Sequence, residues 1–436
     1  MPRSPTALSR LAELEQLIRL VLDLKFPADA VISRYFRDHP QLGSKDRSFL
    51  AEGAWAAVRH RTWYSHLATT GAGSMHRRYA ILAAVDAMGL GPIEKELTPR
   101  EVEWLTHVDT LRSSEVAPHV RFSLPPWLYE SWRTDLGDAE ATACAAAMSQ
   151  TAPLDLRVNL VLAKPQEVVD SLKTEGIDAQ PAGVLPEALR VAGKPSLQRT
   201  KAFTLGHVEV QDLGSQLLAK LVAPKRGQFV VDLCAGAGGK TLALGAALKN
   251  TGRLYALDVA AGRLAKFKPR LARSGLSNVW PSAISSLTDD RVRRLYGKAD
   301  AVLVDAPCSG LGTLRRNPDL KWRQREEAIA ELAAKQSEIL KAAARLLKPA
   351  GRLVYATCST LAAENEAVVE AFLLAHPGFV RESCAVAFEA QRIELPADWR
   401  ALTAQGDLRL WPHRTGTDGF FAAVLIKAGE SQGGVG

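Results

Sequence analysis

The chain has 436 residues, of which 47% are hydrophobic and 23% charged, and its formal net charge is +8. This composition is typical of a globular protein, and no apolar run approaches the length of a membrane span. The first residues do not resemble a signal peptide, because Glu13 and Glu15 interrupt their apolar stretch. We therefore expect a cytoplasmic protein with no membrane partner.

The five cysteines form no CxxC pair, and the histidines do not cluster. A disulfide scaffold and a zinc site are therefore not expected, and we predict no metal. The charge is unevenly distributed. Residues 1–150 carry 17 basic and 18 acidic side chains, whereas the remainder carries 38 basic and 29 acidic ones. The basic part predicts an anionic partner such as nucleic acid.

Residues 1–145 are predicted to form a helical domain. A first amphipathic helix is indicated by apolar residues at helical spacing, namely Leu8, Leu11, Leu14, Ile18, Leu20 and Leu22. The same periodicity in 47–67 predicts a further helix. Its aromatic side chains, Trp55, Trp63 and Tyr64, are expected in the core.

Residues 151–215 are predicted to form a small α+β module. Residues 154–162 alternate as a strand does, 165–175 have helical spacing, and 188–191 and 208–210 are short strand candidates. The aromatic residues of an RNA-stacking sheet are missing, so no base stacking is predicted here.

Residues 216–428 alternate strands with helices, which predicts an α/β fold with a mainly parallel, Rossmann-like sheet covered on both faces. The predicted strands are 229–233, 253–258, 301–305, 352–357 and 420–426. Residues 429–436 are predicted to be a disordered tail.

The segment 229–241, FVVDLCAGAGGKT, predicts a strand, a tight glycine-rich loop and the start of a helix. Gly236, Gly238 and Gly239 let the backbone approach a ligand closely. The next strand ends at Asp258, twenty-six residues after Asp232. An acidic residue at about that spacing typically binds ribose hydroxyls, so a nucleoside-bearing cofactor is predicted.

Two later strands end in cysteine-containing segments. ADAVLVDAPCSGLGT leads to Asp305, Pro307 and Cys308, and GRLVYATCSTLAAENE leads to Cys358. Because parallel strands deliver their carboxyl ends to one crevice, we expect both cysteines there. A lone cysteine is usually a small buried residue, but two at strand ends beside a nucleoside site favour catalysis.

Four motifs in order, DLCAGAGGK, DAPCSGLGTLRRNPDLKW, YATCS followed by EN, and DGFF, resemble the RsmB/Nop2/Sun-domain RNA cytosine-C5 methyltransferases. The resemblance covers about 156–427. It implies S-adenosylmethionine as cofactor and RNA as partner, with ribosomal RNA favoured and transfer RNA possible. It also implies an RRM-like module at 151–215 and a NusB-like helical domain at 1–145. We expect a monomer.

The resemblance assigns Cys358 the attack on cytosine C6 and Cys308 a part in product release. Chemistry alone leaves the two roles open, because DNA cytosine methyltransferases use a Pro-Cys nucleophile and Pro307-Cys308 would suit that role. Asp305 is expected to hydrogen-bond the cytosine or donate a proton to it, with Lys240 near the active centre. The implied cofactor-binding residues are Cys234, Ala235, Gly236, Ala237, Gly238, Gly239, Lys240, Asp258, Arg263 and Asp305. Cys144 and Cys384 are interpreted as structural.

The chain departs from the family at two places. Ala237 replaces a proline and Gly236 an alanine, which is expected to loosen the loop. The stretch 278–287 lacks the family's adenine-binding acid, leaving Ser285, Ser286 or Asp289 as substitutes. An RNA-binding assembly factor with a decayed cofactor site is therefore an alternative.

Basic side chains in two segments are candidates for phosphate contacts. They are Arg315, Arg316, Lys321, Arg323 and Arg325 in one, and Arg263, Lys266, Lys268, Arg270 and Arg273 in the other.

Overall fold

Helices and strands alternate through most of the chain in the computed structural model, which describes residues 9–429. The α-helices are α1 Arg10–Val21, α2 Ala28–Asp38, α3 Ser44–Arg59, α4 Arg61–Leu67, α5 Met75–Met88, α6 Pro99–Arg112, α7 Pro118–Arg121, α8 Pro126–Leu136, α9 Asp138–Met148, α10 Pro165–Thr174, α11 Lys201–Thr204, α12 Leu213–Leu221, α13 Gly239–Ala247, α14 Ala261–Ser274, α15 Asp290–Arg293, α16 Leu320–Arg323, α17 Glu327–Leu346, α18 Glu366–Ala375, α19 Cys384–Glu389 and α20 Pro412–Thr415. The strands are β1 Leu154–Val158, β2 Ala179–Pro181, β3 Ala188–Val191, β4 Val208–Val210, β5 Phe229–Asp232, β6 Arg253–Asp258, β7 Val279–Ala283, β8 Ala299–Asp305, β9 Leu347–Thr357, β10 Phe379–Glu382, β11 Leu408–Leu410 and β12 Phe420–Lys427.

The first compact unit contains α1–α9 together with the later segment Thr313–Glu326. Leu11, Leu14 and Ile18 of α1 are buried in its core, as predicted, but Leu20 is exposed and Leu8 lies outside the described residues. The prediction of one helix over 47–67 was wrong in one respect. Two helices, α3 and α4, cover this range, and the His60 backbone between them is not helical.

The segment Thr313–Glu326 is built into the core of this first unit. Lys321 is 2% exposed, and its Nζ donates to Arg59 O at 2.8 Å. Trp322 Nε1 donates to Val58 O at 3.0 Å, and Arg59 Nη2 donates to Arg315 O at 3.1 Å. The helical unit is therefore completed by residues that lie far along the sequence, and a fragment starting near residue 151 would expose the buried Lys321 and Trp322 side chains.

The second unit contains two sheets. The smaller one has the order β2-β3-β1-β4 with antiparallel neighbours, and α10 and α11 pack on it through Val168, Leu172 and Ala202. The strand predicted over 154–162 ends at Val158. The Asn159 side chain accepts a hydrogen bond from Val161 N at 3.2 Å, which turns the chain and leaves Leu160 exposed.

The larger sheet has the order β10-β12-β9-β8-β5-β6-β7, with β11 paired to β12. The five strands β9, β8, β5, β6 and β7 run parallel to one another. The strand β12 runs antiparallel to its neighbours β9 and β10. Buried side chains on the two faces form separate cores, one containing Phe267 of α14 and the other Leu340 of α17. The predicted mainly parallel α/β fold is confirmed.

The strand order reverses at β5, because the chain continues to β6 on one side and returns to β8 on the other. In open α/β sheets, ligands bind outside the carboxyl ends of the strands at such a point. The glycine loop follows β5 here, and Asp258, Asp305 and Cys358 stand at or just after the ends of β6, β8 and β9. Among residues 9–429 no helix is both long and apolar enough to cross a membrane.

Candidate active site

The glycine-rich loop after β5 is held by hydrogen bonds at four of its residues. Ala235 N donates to Leu257 O at 3.0 Å, Gly236 N to Asp258 Oδ2 at 2.7 Å, and Gly238 N to Ala235 O at 2.8 Å. The Ala237 carbonyl accepts from Arg270 Nη1 at 2.7 Å. These bonds hold the loop in one conformation in the structure.

Gly238 is required by the shape of this loop. Its φ is +80°, and a Cβ at this position would lie 2.0 Å from the Phe267 ring. A Cβ on Gly236 would lie 2.6 Å from the Arg263 guanidinium, which places that side chain against the loop. The loop therefore keeps its backbone close to α14, and its N–H groups stand at the start of α13.

Asp258 is 5% exposed and accepts two backbone hydrogen bonds. Gly236 N donates to Oδ2 and Ala260 N to Oδ1, each at 2.7 Å. The carboxylate therefore connects the end of β6 to the glycine loop. Each carboxylate oxygen has two lone-pair directions, so both can still accept a ribose hydroxyl.

Asp232 is a buried acid at the end of β5 to which the sequence assigned no role. Thr241 Oγ1 donates to its Oδ2 at 2.6 Å, and Oδ1 is buried with no hydrogen-bond partner in the structure. Burial raises the pKa of Asp232 to about 7. A buried polar atom without a partner behind a glycine loop fits a site that is completed by a polar ligand.

Asp289 and Ser285 lie together in the turn after β7. Asp289 Oδ2 accepts from Ser285 N and Ser285 Oγ, each at 2.9 Å, and Oδ1 accepts from Arg291 N at the start of α15. The Ser285 and Arg291 backbone N–H groups lower the pKa of Asp289 to about 2. Of the three substitutes considered for the adenine-binding acid, two are therefore in direct contact.

Cys308 and Cys358 meet in the crevice, with their sulfur atoms 3.4 Å apart. The hydrogen bond to Cys358, together with burial, raises the pKa of Cys308 well above its ordinary value. Cys308 therefore remains a thiol at neutral pH and can donate to the Cys358 sulfur. The two cysteines predicted to share one crevice do so.

Lys240 and Asp305 form an ion pair beside the two sulfurs. Lys240 Nζ lies 2.8 Å from Asp305 Oδ2, and the side chains are 10% and 33% exposed. Burial by itself would lower the pKa of Lys240, but the Asp305 carboxylate and the Cys358 sulfur outweigh it and raise the pKa. Lys240 therefore carries its charge at neutral pH.

The other three cysteines have different surroundings. Cys144 and Cys384 are completely buried, as expected of structural residues. Cys234 is partly buried at the base of the glycine loop, and burial raises its pKa above its ordinary value, so its thiol packs and does not ionise. No group of acids, histidines and cysteines with metal-binding geometry occurs in the part of the chain that the structure describes.

Two of the predicted phosphate contacts were wrong, because their side chains are buried. Lys321 and Arg315 are 2% and 7% exposed in the first unit. Arg270 and Arg273 both pair with the one carboxylate of Glu209 on β4, at 2.8 and 2.5 Å, which compensates one of their two charges. In contrast, Arg263, Lys266 and Lys268 are exposed on α14.

Comparisons with known proteins identify two family models. Residues 219–426 match the model described as 16S rRNA methyltransferase RsmB/F, and residues 124–198 match a ferredoxin-like domain of RsmF/B-like methyltransferases. A probable ribosomal RNA small subunit methyltransferase B of Synechocystis is 36% identical over 317 residues, which is 71% of this chain and 68% of that protein. The corresponding Bacillus subtilis protein is 34% identical, over 70% of this chain and 67% of its own length.

Solved structures show the same fold. PH0851 superimposes with a TM-score of 0.74 and 27% identity, covering 98% of this chain and 100% of its own. A methyltransferase homologue from Pyrococcus horikoshii has a TM-score of 0.61 and 28% identity, covering 71% of this chain and 97% of its own. NSun6 from the same organism, solved with SFG, has a TM-score of 0.61 at 24% identity over 70% of this chain and 99% of its own, a likeness of fold.

Proposed function

We propose that this chain, which belongs to the RsmB/F family of 16S rRNA methyltransferases, methylates C5 of a cytosine in small-subunit ribosomal RNA. The family membership supports RNA methylation. The observation that supports cytosine C5 is the pair of thiols 3.4 Å apart beside the nucleoside crevice. C5 is a poor nucleophile, so its methylation needs a thiol that adds to C6 and a way to release that thiol again.

The cofactor of the family is S-adenosylmethionine, and the residues present fit it. Asp258 offers carboxylate oxygens to the ribose, and the first turn of α13, which follows the glycine loop, offers backbone N–H groups. When bound, S-adenosylmethionine supplies an electrophilic methyl group. Asp232, whose buried Oδ1 has no partner, adds a polar acceptor behind the loop.

Cys358 is proposed as the nucleophile. Its thiolate forms a bond to C6, and the electrons of the C5–C6 double bond shift so that C5 becomes nucleophilic and takes the methyl group. Two neighbours lie close to its sulfur. The Cys308 thiol donates a hydrogen bond to the Cys358 sulfur. The Lys240 ammonium is also close, because the Cys358 sulfur raises the pKa of Lys240.

Asp305 and Lys240 are proposed to orient the cytosine. Oδ2 of Asp305 accepts a hydrogen bond from Lys240, so Oδ1 can accept a hydrogen bond from the exocyclic amino group of the base. The Lys240 ammonium places positive charge where the ring gains electron density during the attack.

Cys308 is proposed to assist release. Once a base removes the C5 proton, the C5–C6 double bond re-forms and the bond from C6 to the Cys358 sulfur breaks. The leaving sulfur accepts a hydrogen bond from the Cys308 thiol at the distance seen here, which stabilises it as a thiolate.

A direct test is to incubate the purified protein with methyl-labelled S-adenosylmethionine and either unmodified small-subunit rRNA or transfer RNA, followed by bisulfite sequencing of each RNA. Label at one cytosine would support the proposal. Label only in transfer RNA would identify transfer RNA as the substrate in place of ribosomal RNA. Absence of cofactor binding at millimolar concentration would favour an assembly factor with a decayed site.

For RNA binding we predict that Lys266→Ala combined with Lys268→Ala weakens affinity without changing cofactor binding. Both side chains are exposed on α14, on the face of the sheet whose core contains Phe267. Each lost phosphate contact should reduce the slope of log affinity against log salt by roughly 0.7–0.9. Filter binding across a salt series of the full-length protein measures this.

The matched control is Lys335→Ala combined with Lys341→Ala. These lysines are also exposed, but on α17, which packs on the opposite face of the sheet. An equal loss of affinity in both double variants would show that the basic surface acts through net charge and not through α14. Full-length variants are preferable to a truncation at residue 145, because Lys321 and Trp322 belong to the core of the helical unit.

A further inference from the structure

Glu364, in the turn after β9, is a completely buried acid whose two carboxylate oxygens accept four hydrogen bonds. Oε1 accepts from Ser309 N at 2.8 Å and from Gln336 Nε2 at 2.9 Å. Oε2 accepts from Ser309 Oγ and from Ser359 Oγ, each at 2.5 Å. Burying a carboxylate is unfavourable unless such donors replace water, so the four bonds define one position for this group.

Three of the four donors come from the two cysteine loops. Ser309 follows Cys308 directly, and Ser359 follows Cys358 directly. The two serine hydroxyls are 3.2 Å apart, close to the 3.4 Å between the two sulfurs. One carboxylate therefore connects the two loops at the residues next to the reacting thiols.

A second layer of hydrogen bonds holds Glu364 itself. Gln336 of α17 donates both to Glu364 and to Pro307 O, the latter at 3.1 Å. The Tyr355 hydroxyl donates to the backbone carbonyl of Glu364 at 2.6 Å. Gln336 and Tyr355 are completely buried on α17 and β9, and hydrogen bonds from such elements hold a side chain in one geometry.

The charge of Glu364 acts in the same direction as its geometry. The pKa of Cys308 is raised most by the hydrogen bond to Cys358 and by burial, and the charges of Cys358 and Glu364 raise it further. The acid therefore helps to keep the proton on Cys308, the thiol that the mechanism needs as a donor.

We propose that Glu364 is a positioning residue that holds the Cys308 and Cys358 loops together so that the two sulfurs stay at reacting distance. This inference rests on the function proposed above. Glu364 is completely buried and acts through Ser309 and Ser359, so it need not touch the RNA or the cofactor.

The spacing can be measured without either substrate by oxidation. A mild diazenedicarboxamide oxidant takes two electrons and two protons from the thiols of Cys308 and Cys358, giving one disulfide and the reduced hydrazine. Peptide mapping by mass spectrometry identifies the pair. We expect Glu364→Ala to slow this disulfide by about tenfold or more, since thiols held apart lose most of their effective concentration.

The pH dependence of this oxidation separates spacing from ionisation. A change in thiol pKa moves the midpoint of the rate against pH, whereas a change in spacing lowers the plateau. Glu364→Gln keeps an acceptor for Ser309 N and Gln336 and lacks the charge. We expect it to keep the plateau within about threefold and to move the midpoint to lower pH, because a negative charge that raised the pKa of Cys308 is gone.

In methylation assays, Glu364→Ala should lower kcat by about 100-fold while KM for RNA and for the cofactor change by less than about twofold. The control is Asp407→Asn, which alters another completely buried acid of the same unit. It should lower Tm and leave the disulfide rate unchanged.

An unchanged disulfide plateau and an unchanged kcat in Glu364→Ala would overturn the proposal, whatever the loss in Tm. If the alanine variant does not fold, the Ser309→Ala and Ser359→Ala double variant removes two of the four donors and should give the same slowing in milder form. A wild-type protein that forms the disulfide as expected but methylates no cytosine would refute the proposed reaction and leave the positioning role standing.

Discussion

Cys308→Ala should accumulate a covalent protein–RNA adduct that carries the transferred methyl group and survives a denaturing gel. Cys358→Ala should form no adduct and transfer no methyl group. The expected effect is large, since removing a nucleophile leaves no alternative path to an activated C5, and activity should fall by about 10⁴-fold or more.

The physical reason lies in the unequal surroundings of the two sulfurs. Cys308 is held in the thiol form by the hydrogen bond to Cys358 and by burial. The Cys308→Ala variant lacks the Cys308 S–H. The Cys358 sulfur then has no donor that stabilises it as it leaves C6, so elimination from the adduct slows more than attack on C6. The adduct is therefore expected in Cys308→Ala, which lacks the Cys308 S–H donor.

The two variants should be compared with Cys384→Ala, which removes a buried thiol that donates to Ala422 O at 3.6 Å on β12. That variant should turn over RNA without trapping it. An adduct confined to Cys358→Ala would reverse the two roles and make Cys308 the nucleophile.

Asp258→Ala should weaken cofactor binding by about 10- to 100-fold, because a carboxylate in charge-assisted hydrogen bonds contributes on the order of 1.5–3 kcal/mol. The variant loses the acceptor offered to the ribose. It also loses the bond from Gly236 N that fixes the glycine loop. Calorimetric titration with S-adenosylmethionine measures the change directly.

Asp300→Ala is the matched control. Its carboxylate also accepts a backbone hydrogen bond, from Phe229 N at 2.7 Å, but at the amino-terminal end of the strands, away from the crevice. Asp300→Ala should lower Tm and leave the cofactor affinity within about threefold. Equal losses in both variants would mean that Asp258 acts only through stability.

Much of the catalytic core could be predicted from sequence because its signals are local. A β-branched run, a glycine turn and an acid at the next strand end define β5, the loop and β6 within a span of thirty residues. The three antiparallel strands β10, β11 and β12 were harder. Only β12 was predicted, since β10 and β11 are short and gain their stability by pairing with it.

The roles of individual charged side chains could not be predicted in the same way. Lys321 and Lys266 are both lysines in basic segments, yet one is buried against the Arg59 carbonyl and the other is exposed. The difference depends on which distant segment packs over the residue. Local sequence does not encode that partner, so the prediction of phosphate contacts failed for Lys321.

The α/β fold and the two cysteines at strand ends could be predicted from local sequence, because strand periodicity and turn chemistry act over a few residues. The 3.4 Å between the sulfurs, the Lys240–Asp305 pair and the burial of Glu364 between the two cysteine loops depend on how distant segments pack. Hydrogen bonds of this kind join residues 28 to 65 positions apart, and they form only after the strands have been brought side by side.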